Sequence, residues 1–414
     1  MIAGLLLGAV GCGDASNSGG EPDLAANRSS ATSIAPATSA PATSAPGTSA
    51  PGTSAPGTSA PATSAPTSAA AVATAVDVIG APTPVTLGFN NAAQMIGDGF
   101  GDTLLVWVHD NHVQLGRLSG SGVLSDIRTV GGSRATLPGI AASGGLLAVS
   151  WIESLGRGAT KTQVVVSTDA GVSFGSPVVL GNSGSGLSVN GDRTSLVAVW
   201  HEGDEDTTAK IFFSRYEAGE WSRPVRVDES SAAPLWASVA TRDDRVVVAW
   251  RDNRDGQYSV WLRRSADGGK TWLGEQHVVS SMSGDPAVCI SSDGTIWLGH
   301  HGRDKTTVLV SRDGGGAFAS IGDIGNGYFV HLDCRSNHVV AVWEDVVGNS
   351  KATGKKVGWR VMDLNAAVIG TGAIDDGGPA QPTGLALDEG VILVWVNGGG
   401  GPSGTLRSQR VAFA

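Results

Sequence analysis

The side chains best suited to chemistry sit in clusters, each placed directly after a short apolar run: His109-Asp110-Asn111, Glu153, His201-Glu202, Arg251-Asp252-Asn253-Arg254-Asp255, His300-His301-Gly302-Arg303-Asp304 and Glu344-Asp345. Arg251, Arg254 and Arg303, together with Arg134, offer guanidinium forks that grip a carboxylate bidentately. Asp252, Asp255, Asp304 and Glu344 supply carboxylates, and hydrolysis of a glycosidic bond uses two such groups about 5 to 10 Å apart in a concave pocket. Binding asks for less. Trp236 and Tyr328 carry flat rings that stack on a sugar or pack between sheets, and His201, Glu202, His300 and His301 stand beside them with hydrogen-bonding groups. Metal chemistry finds little support: the acidic run from His201 to Asp206 has no defined ligand spacing, and His300 and His301, adjacent in an extended segment, point to opposite sides. No zinc or phosphate-loop motif occurs, so neither a metal nor a cofactor is expected.

A repeat would hold these clusters. The apolar runs end at Trp107, Trp151, Trp200, Trp250, His300, Trp343 and Trp395, and successive ends lie 43 to 52 residues apart. That interval accommodates four short strands and their turns, the unit of a propeller blade. Gly at 60 residues, Trp at 12 and a charged fraction of 16% fit tight turns and short strands better than long amphipathic helices. In the clearest unit, residues 235–240, 245–250, 259–264 and 277–280 are the four strands, with Asp243-Asp244 turning the first into the second. The fold class is therefore all-β: a β-propeller of four-stranded antiparallel blades, seven by count, with six as the alternative if a terminal unit is irregular. The last unit ends after three strands, and residues 85–89 (Val-Thr-Leu-Gly-Phe) are a spare strand that would cover its open edge. Alternating strand direction puts the polar clusters on one face of the ring.

The turns between third and fourth strands carry a motif. Ser265-Ala-Asp-Gly-Gly-Lys-Thr-Trp272 and Ser167-Thr-Asp-Ala-Gly-Val-Ser-Phe174 fit Ser-x-Asp-x-Gly-x-(Ser/Thr)-(Trp/Phe) in full, and Ser311-Arg-Asp-Gly-Gly-Gly-Ala-Phe318 lacks only the hydroxyl residue. On these residues the chain resembles the sialidase-like superfamily of BNR or Asp-box repeats, across about four fifths of its length. The resemblance implies structural roles for Ser167, Asp169, Gly171 and Phe174, for Ser265, Asp267, Gly269 and Trp272, and for Ser311, Asp313, Gly315 and Phe318. The short carboxylate accepts turn N–H groups, the glycine takes a positive φ and the aromatic packs between sheets. Sialidases of the family clamp their substrate with three arginines and use a tyrosine nucleophile assisted by Glu, with an Asp acid. The Phe-Arg-Ile-Pro-like motif that supplies the first arginine is missing, and none of the three tyrosines, Tyr216, Tyr258 and Tyr328, lies in a family motif. The reading preferred is thus binding of a glycan or envelope protein without turnover; an exo-α-sialidase or another glycoside hydrolase is the alternative.

Residues 1–12 end in Ala-Val-Gly-Cys, small residues directly before Cys12, which resembles a bacterial lipoprotein signal with Cys12 as the acylated residue. An ordinary secretion signal is the other reading. Residues 13–82 form a Ser/Ala/Pro/Thr/Gly-rich linker with too few large apolar side chains to fold. From about Arg28 to Ala70 a proline every fifth residue biases the backbone to polyproline II, at about 3.1 Å per residue, so these roughly forty residues reach on the order of 100 Å. Residues 83–414 are the propeller. The expected product is exported, tethered to a membrane of the bacterial envelope through Cys12, and monomeric. A net charge of −10 opposes nucleic-acid binding. Cys289 and Cys334 occupy similar positions in the first strands of neighbouring units and form an even pair once Cys12 is lipidated; a disulfide and two buried thiols are both open.

Overall fold

The apolar runs become the second strands of seven four-stranded antiparallel sheets set in a ring, a seven-bladed β-propeller. The computed structural model describes residues 72–73, 77–78, 93–97, 103–119, 123–192, 195–281, 284–302, 305–334, 337–346, 355–377, 380–387, 390–397 and 405–412. No helix occurs among them. In chain order, β1 (Val72–Ala73) and β2 (Asp77–Val78) precede blade 1, which is β3 (Gln94–Gly97), β4 (Thr103–His109), β5 (His112–Leu118) and β6 (Leu124–Gly131). Blade 2 is β7 (Ala135–Ser143), β8 (Leu146–Gly156), β9 (Ala159–Ser167) and β10 (Val178–Asn182). Blade 3 is β11 (Gly184–Gly191), β12 (Leu196–Glu202) and β13 (Lys210–Glu217), with a split outer strand, β14 (Glu220–Trp221) and β15 (Val225–Arg226). Blade 4 is β16 (Leu235–Arg242), β17 (Arg245–Asp252), β18 (Ser259–Ser265) and β19 (Gln276–Val279), within two residues of the sequence expectation at every end. Blade 5 is β20 (Ala287–Ile290), β21 (Ile296–His301), β22 (Thr306–Ser311) and β23 (Ala319–Gly325), and blade 6 is β24 (Gly327–Asp333), β25 (His338–Val346), β26 (Lys355–Asp363) and β27 (Val368–Ile374). Blade 7 supplies three strands of its own, β28 (Ala380–Leu387), β29 (Gly390–Asn397) and β30 (Thr405–Ala412).

Ring closure uses a different segment from the one the sequence suggests. The outer edge of blade 7 is covered by β1 and β2, through Val72 opposite Ala412, Ala73 opposite Val411, Asp77 opposite Ser408 and Val78 opposite Arg407. Residues 85–89 lie outside the described residues. First strands line the axis, each packed on the next, and β28 of blade 7 meets β3 of blade 1.

Second strands are buried on both faces, which is why they read as unbroken apolar runs. Trp107, Trp151, Trp200, Trp250 and Trp395 at their ends are at most 1% exposed. Strand register shows what replaces the tryptophan in blade 5. Ala287 pairs with Gly299 as Ser238 pairs with Ala249, so His300 stands where Trp250 does, and Trp297 is a separate core residue. A disulfide joins Cys289 in β20 to Cys334 just after β24, with Cα atoms 6.0 Å apart, and so links the axial strands of blades 5 and 6.

The turns after β9, β18 and β22 share one geometry. Asp169 Oδ1 accepts the Ser173 N–H at 2.8 Å and its Oδ2 accepts the Ser173 hydroxyl at 2.6 Å, while Ser167 Oγ accepts the Gly171 N–H at 2.7 Å. Asp267 and Ser265 repeat these bonds with Thr271 and Gly269. Asp313 accepts the Ser311 hydroxyl at 2.7 Å and the backbone N–H groups of Gly316 and Ala317, but has no counterpart of the Ser173 or Thr271 hydroxyl, because Ala317 stands there. Gly269 has φ +87°, and a Cβ there would lie 2.3 Å from the Phe213 ring of blade 3. Trp272 meets the same ring edge to face at 5.1 Å. These turns therefore close the outer strand and press it on the preceding blade.

Candidate functional site

The residue after each terminal tryptophan, or after His300, leaves the second strand at the face that carries the polar clusters. Register aligns seven such positions: Val108, Ile152, His201, Arg251, His301, Glu344 and Val396. Blades 7, 1 and 2 present aliphatic side chains there. Blades 3 to 6 present two histidines, one arginine and one glutamate. At these seven positions the polar side chains occupy one continuous sector of the ring.

Each polar side chain in the sector reaches the first strand of the next blade or, for Arg251, the link just ahead of it. His201 meets the Trp236 ring edge to face at 5.6 Å, and its Nδ1 accepts the Trp236 N–H at 3.4 Å. Arg251 Nη1 lies 3.3 Å from Asp285 Oδ1. The His301 ring meets Tyr328 edge to face at 5.2 Å, and the Glu344 Oε1 accepts the Gln381 N–H at 2.7 Å. The receiving positions are unusual. A β-bulge falls at the start of β7, β11, β16, β24 and β28, and places Leu137, Gly186, Trp236, Phe329 and Gln381 at φ between +50° and +57°. Four of these are not glycine, and such backbone costs on the order of 1–3 kcal/mol per residue. Bulges of this kind re-aim a side chain: Trp236 meets His201, whereas Leu137 packs on the core between blades 2 and 3. Asp285 takes the corresponding place in blade 5, two residues ahead of Ala287.

Three elements thus assemble one constellation. Blade 3 contributes His201, 1% exposed, and from the following loop Glu205, whose Oε1 lies 3.1 Å from His201 Nε2. With Nδ1 accepting from Trp236, the proton of a neutral His201 sits on Nε2 and is donated to Glu205; that bond holds the Glu205 carboxyl below its usual range. Blade 4 contributes Trp236, Arg251 and Tyr258, with the Arg251 guanidinium 5.0 Å from the Tyr258 ring centre. Asp285, from the link into blade 5, is 37% exposed. Burial nevertheless pushes its carboxyl up to about 6, over the opposing attraction of Arg251 and His201. Gly284 beside it leaves no room for a Cβ against the His301 ring.

Other candidates named from sequence are bound into the scaffold. Glu202 accepts the Trp200 Nε1–H at 2.8 Å, and Asp252 accepts from Trp250 at 3.4 Å. Burial of Asp252 is outweighed by hydrogen bonds from Arg254, at 2.6 and 3.0 Å to one oxygen, so its carboxyl lies below the usual range. Arg254 also pairs with Glu275 and lies over the Trp261 ring at 4.0 Å. Glu344, 1% exposed, is held by Lys355 at 2.6 Å. His300 is buried, which lowers its pKa. Asp255 is exposed in the loop after β17. Arg303 and Asp304 lie outside the described residues, as does Cys12. Sequence reasoning singled out His201, Trp236, Arg251, His301 and Tyr328, which the ring brings into one sector, but not Asp285 and Glu205. The available signal for Asp285 was its place just ahead of Pro286, as Leu137 precedes Pro138 and Gln381 precedes Pro382. A cavity of about 650 Å³ opens on the other face, among the turns between first and second strands, lined in part by Ser143, Asn190, Asp192, Thr241, Arg242 and Asp333. No group of three or more metal-ligating side chains occurs among the described residues.

No protein-family model matches the sequence, and neither does any curated protein. Solved structures do. Polysaccharide lyase Uly1 aligns at 11% identity with a TM-score of 0.52, covering 80% of this chain and 91% of that one. Phage phi92 endosialidase aligns at 9% identity and a TM-score of 0.50, covering 80% and 69%. Trypanosoma rangeli sialidase, in complex with the inhibitor DANA, aligns at 12% identity and a TM-score of 0.48, and this chain spans 56% of its length. At such identities the likeness is one of fold.

Proposed function

We propose that this chain is an exported propeller of the sialidase-like, Asp-box type, tethered to the bacterial envelope through Cys12, that binds a glycan at the polar sector of its mouth without cleaving it. The carrying observation is the sector itself. Three consecutive blades present His201, Arg251 and His301 at equivalent positions, next to the Trp236 ring, while blades 7, 1 and 2 present Val or Ile. An aromatic face flanked by hydrogen-bonding groups is what a sugar ring asks of a protein surface. Two propellers of similar architecture, named a polysaccharide lyase and an endosialidase, favour a polysaccharide ligand over a protein one. Against sialidase chemistry stands the arginine count: Arg251 is the one arginine among the seven aligned positions. The small-residue signal before Cys12 and the extended linker support the tether.

The test is a glycan array on the purified full chain, with fluorogenic sialosides alongside. Binding that falls at least tenfold in Trp236→Ala, with no release of fluorophore, is the expected result. Full binding by Trp236→Ala would place the ligand elsewhere. One observation favours hydrolysis as a second reading. Asp285 and Glu205, both beside His201, have their acidities driven in opposite directions, as in acid–base couples. Turnover that is lost in both Asp285→Asn and Glu205→Gln would establish it.

A further inference from the structure

Among the ion pairs of the described residues, two buried ones are fully hydrogen-bonded and a third, in the polar sector, is not. Arg254 and Asp252 share two side-chain hydrogen bonds, at 2.6 and 3.0 Å, and Lys355 donates to Glu344 at 2.6 Å; both acids are buried and fully engaged. Arg251 and Asp285 differ. Their atoms are close enough for a charge contact, 3.3 Å, but Asp285 Oδ1 and Arg251 Nε are both buried and neither has a hydrogen-bond partner. A buried polar atom without a partner costs roughly 1–3 kcal/mol and calls for an explanation. The pair is otherwise well braced. Tyr258 lies against the guanidinium, Gly284 fixes the Asp285 backbone against His301, and Trp236 stands on the strand that pairs with that of Arg251. A guanidinium held in place with spare donors, set beside an aromatic ring, is shaped to take a planar anion.

Resting on the glycan-binding reading above, we infer that a sugar carboxylate takes the place of Asp285 on the Arg251 guanidinium, with Asp285 binding a proton as it gives up its counter-charge, so that the site holds acidic glycans and releases them as pH rises. The exchange balances. One carboxylate leaves Arg251, one arrives, and a proton from solvent neutralises the displaced acid. Asp285 is already disposed to this, since burial drives its carboxyl up to about 6. An anion delivered beside it raises that value further, and a uronate ligand, with an ordinary carboxyl pKa, stays ionised throughout. The charged groups facing Asp285 are Arg251 from β17 and His201 and Glu205 from blade 3; His301 packs on the neighbouring Gly284. If only the protonated form of Asp285 admits the ligand, apparent affinity scales with that fraction, which falls more than tenfold between pH 5.5 and 7.5 for a group titrating at about 6.

The experiment measures affinity of the full chain for a hyaluronan hexasaccharide and a galacturonate hexasaccharide, each with its carboxyl-reduced form, at pH 5.5 and 7.5. At least one acidic probe is expected to bind about tenfold or more tightly at pH 5.5, with proton uptake seen calorimetrically in two buffers of different ionisation enthalpy. Asp285→Asn should bind that probe equally at both pH values, and Arg251→Gln should lose it, each variant keeping the thermal unfolding of the parent within a few degrees. A slope that persists in Asp285→Asn belongs to His201 or His301 and overturns the inference. Equal binding of acidic and reduced probes that still needs Trp236 overturns the inference and leaves the glycan site standing; failure of every probe at both pH values sinks the inference as well.

Discussion

Two aspartate environments set opposite pH behaviour. Hydrogen bonds from the Thr271 side chain and backbone, and from Ser265, bring Asp267 down from 3.8 to about 2, and Ser173 and Ser167 do the same for Asp169. For a depressed acid the stabilising contribution is complete above the unfolded value and is lost as pH falls through the folded one. Thermal unfolding should therefore show the chain losing stability between about pH 4 and 2, and Asp267→Asn should be destabilised at pH 6 while converging on the parent near pH 2. Asp285 has the reverse sign. Raised to about 6, it favours the folded state most below the unfolded value of 3.8, and that contribution disappears as pH rises through about 6. The melting temperature of Asp285→Asn relative to the parent should thus be more favourable at pH 7.5 than at pH 4.5. His201, Trp236 and Arg251 were legible because polar or aromatic residues interrupt an apolar pattern there. Asp285 and Glu205 were not. Their roles depend on contacts between blades, and linear spacing says nothing about which loop of one unit faces which strand of the next.

Among the elements, the second strands were the most legible and the first strands the least. A strand buried on both faces needs an apolar residue at every position, and β4, β8, β12, β17, β25 and β29 announce themselves that way. Their exit geometry also repeats: the indole N–H of Trp200, Trp250 and Trp343 is taken by the acid two residues on, Glu202, Asp252 and Asp345. Trp200→Phe removes the donor and leaves the Glu202 oxygen short of a partner, which should lower stability by about 1–3 kcal/mol in urea unfolding. Trp200→Ala, which also opens a cavity, should cost about 3–5 kcal/mol. The bulges of the first strands had no such signature. Leu137, Trp236, Phe329 and Gln381 share a left-handed backbone but no side-chain type, because ring packing imposes the conformation.

At the scale of the whole molecule, a regular interval implied a ring, and the seven-blade count followed from the units visible in the chain. How the ring is fastened did not follow. β1 and β2 are two dipeptides with no hydrophobic period, inside a stretch whose composition marks it as a linker. The disulfide, by contrast, was one of two open readings, and Cys289 and Cys334 do meet across the boundary of blades 5 and 6. On loop-closure grounds a crosslink between residues 45 apart contributes about 4 kcal/mol. Cys289→Ser with Cys334→Ser should lower the denaturant midpoint accordingly, and reducing agent should do the same to the parent and nothing to the double variant.

On the tethered molecule proposed above, β1 and β2 follow the leash in the chain, so a tug from the membrane would arrive first at their pairing with β30. Those few bonds act as a hasp. A chain begun at residue 83 would forfeit it, and should melt at lower temperature and self-associate through the bared flank of β30. Cutting the leash upstream of residue 72 should leave the hasp engaged and the melting temperature unchanged.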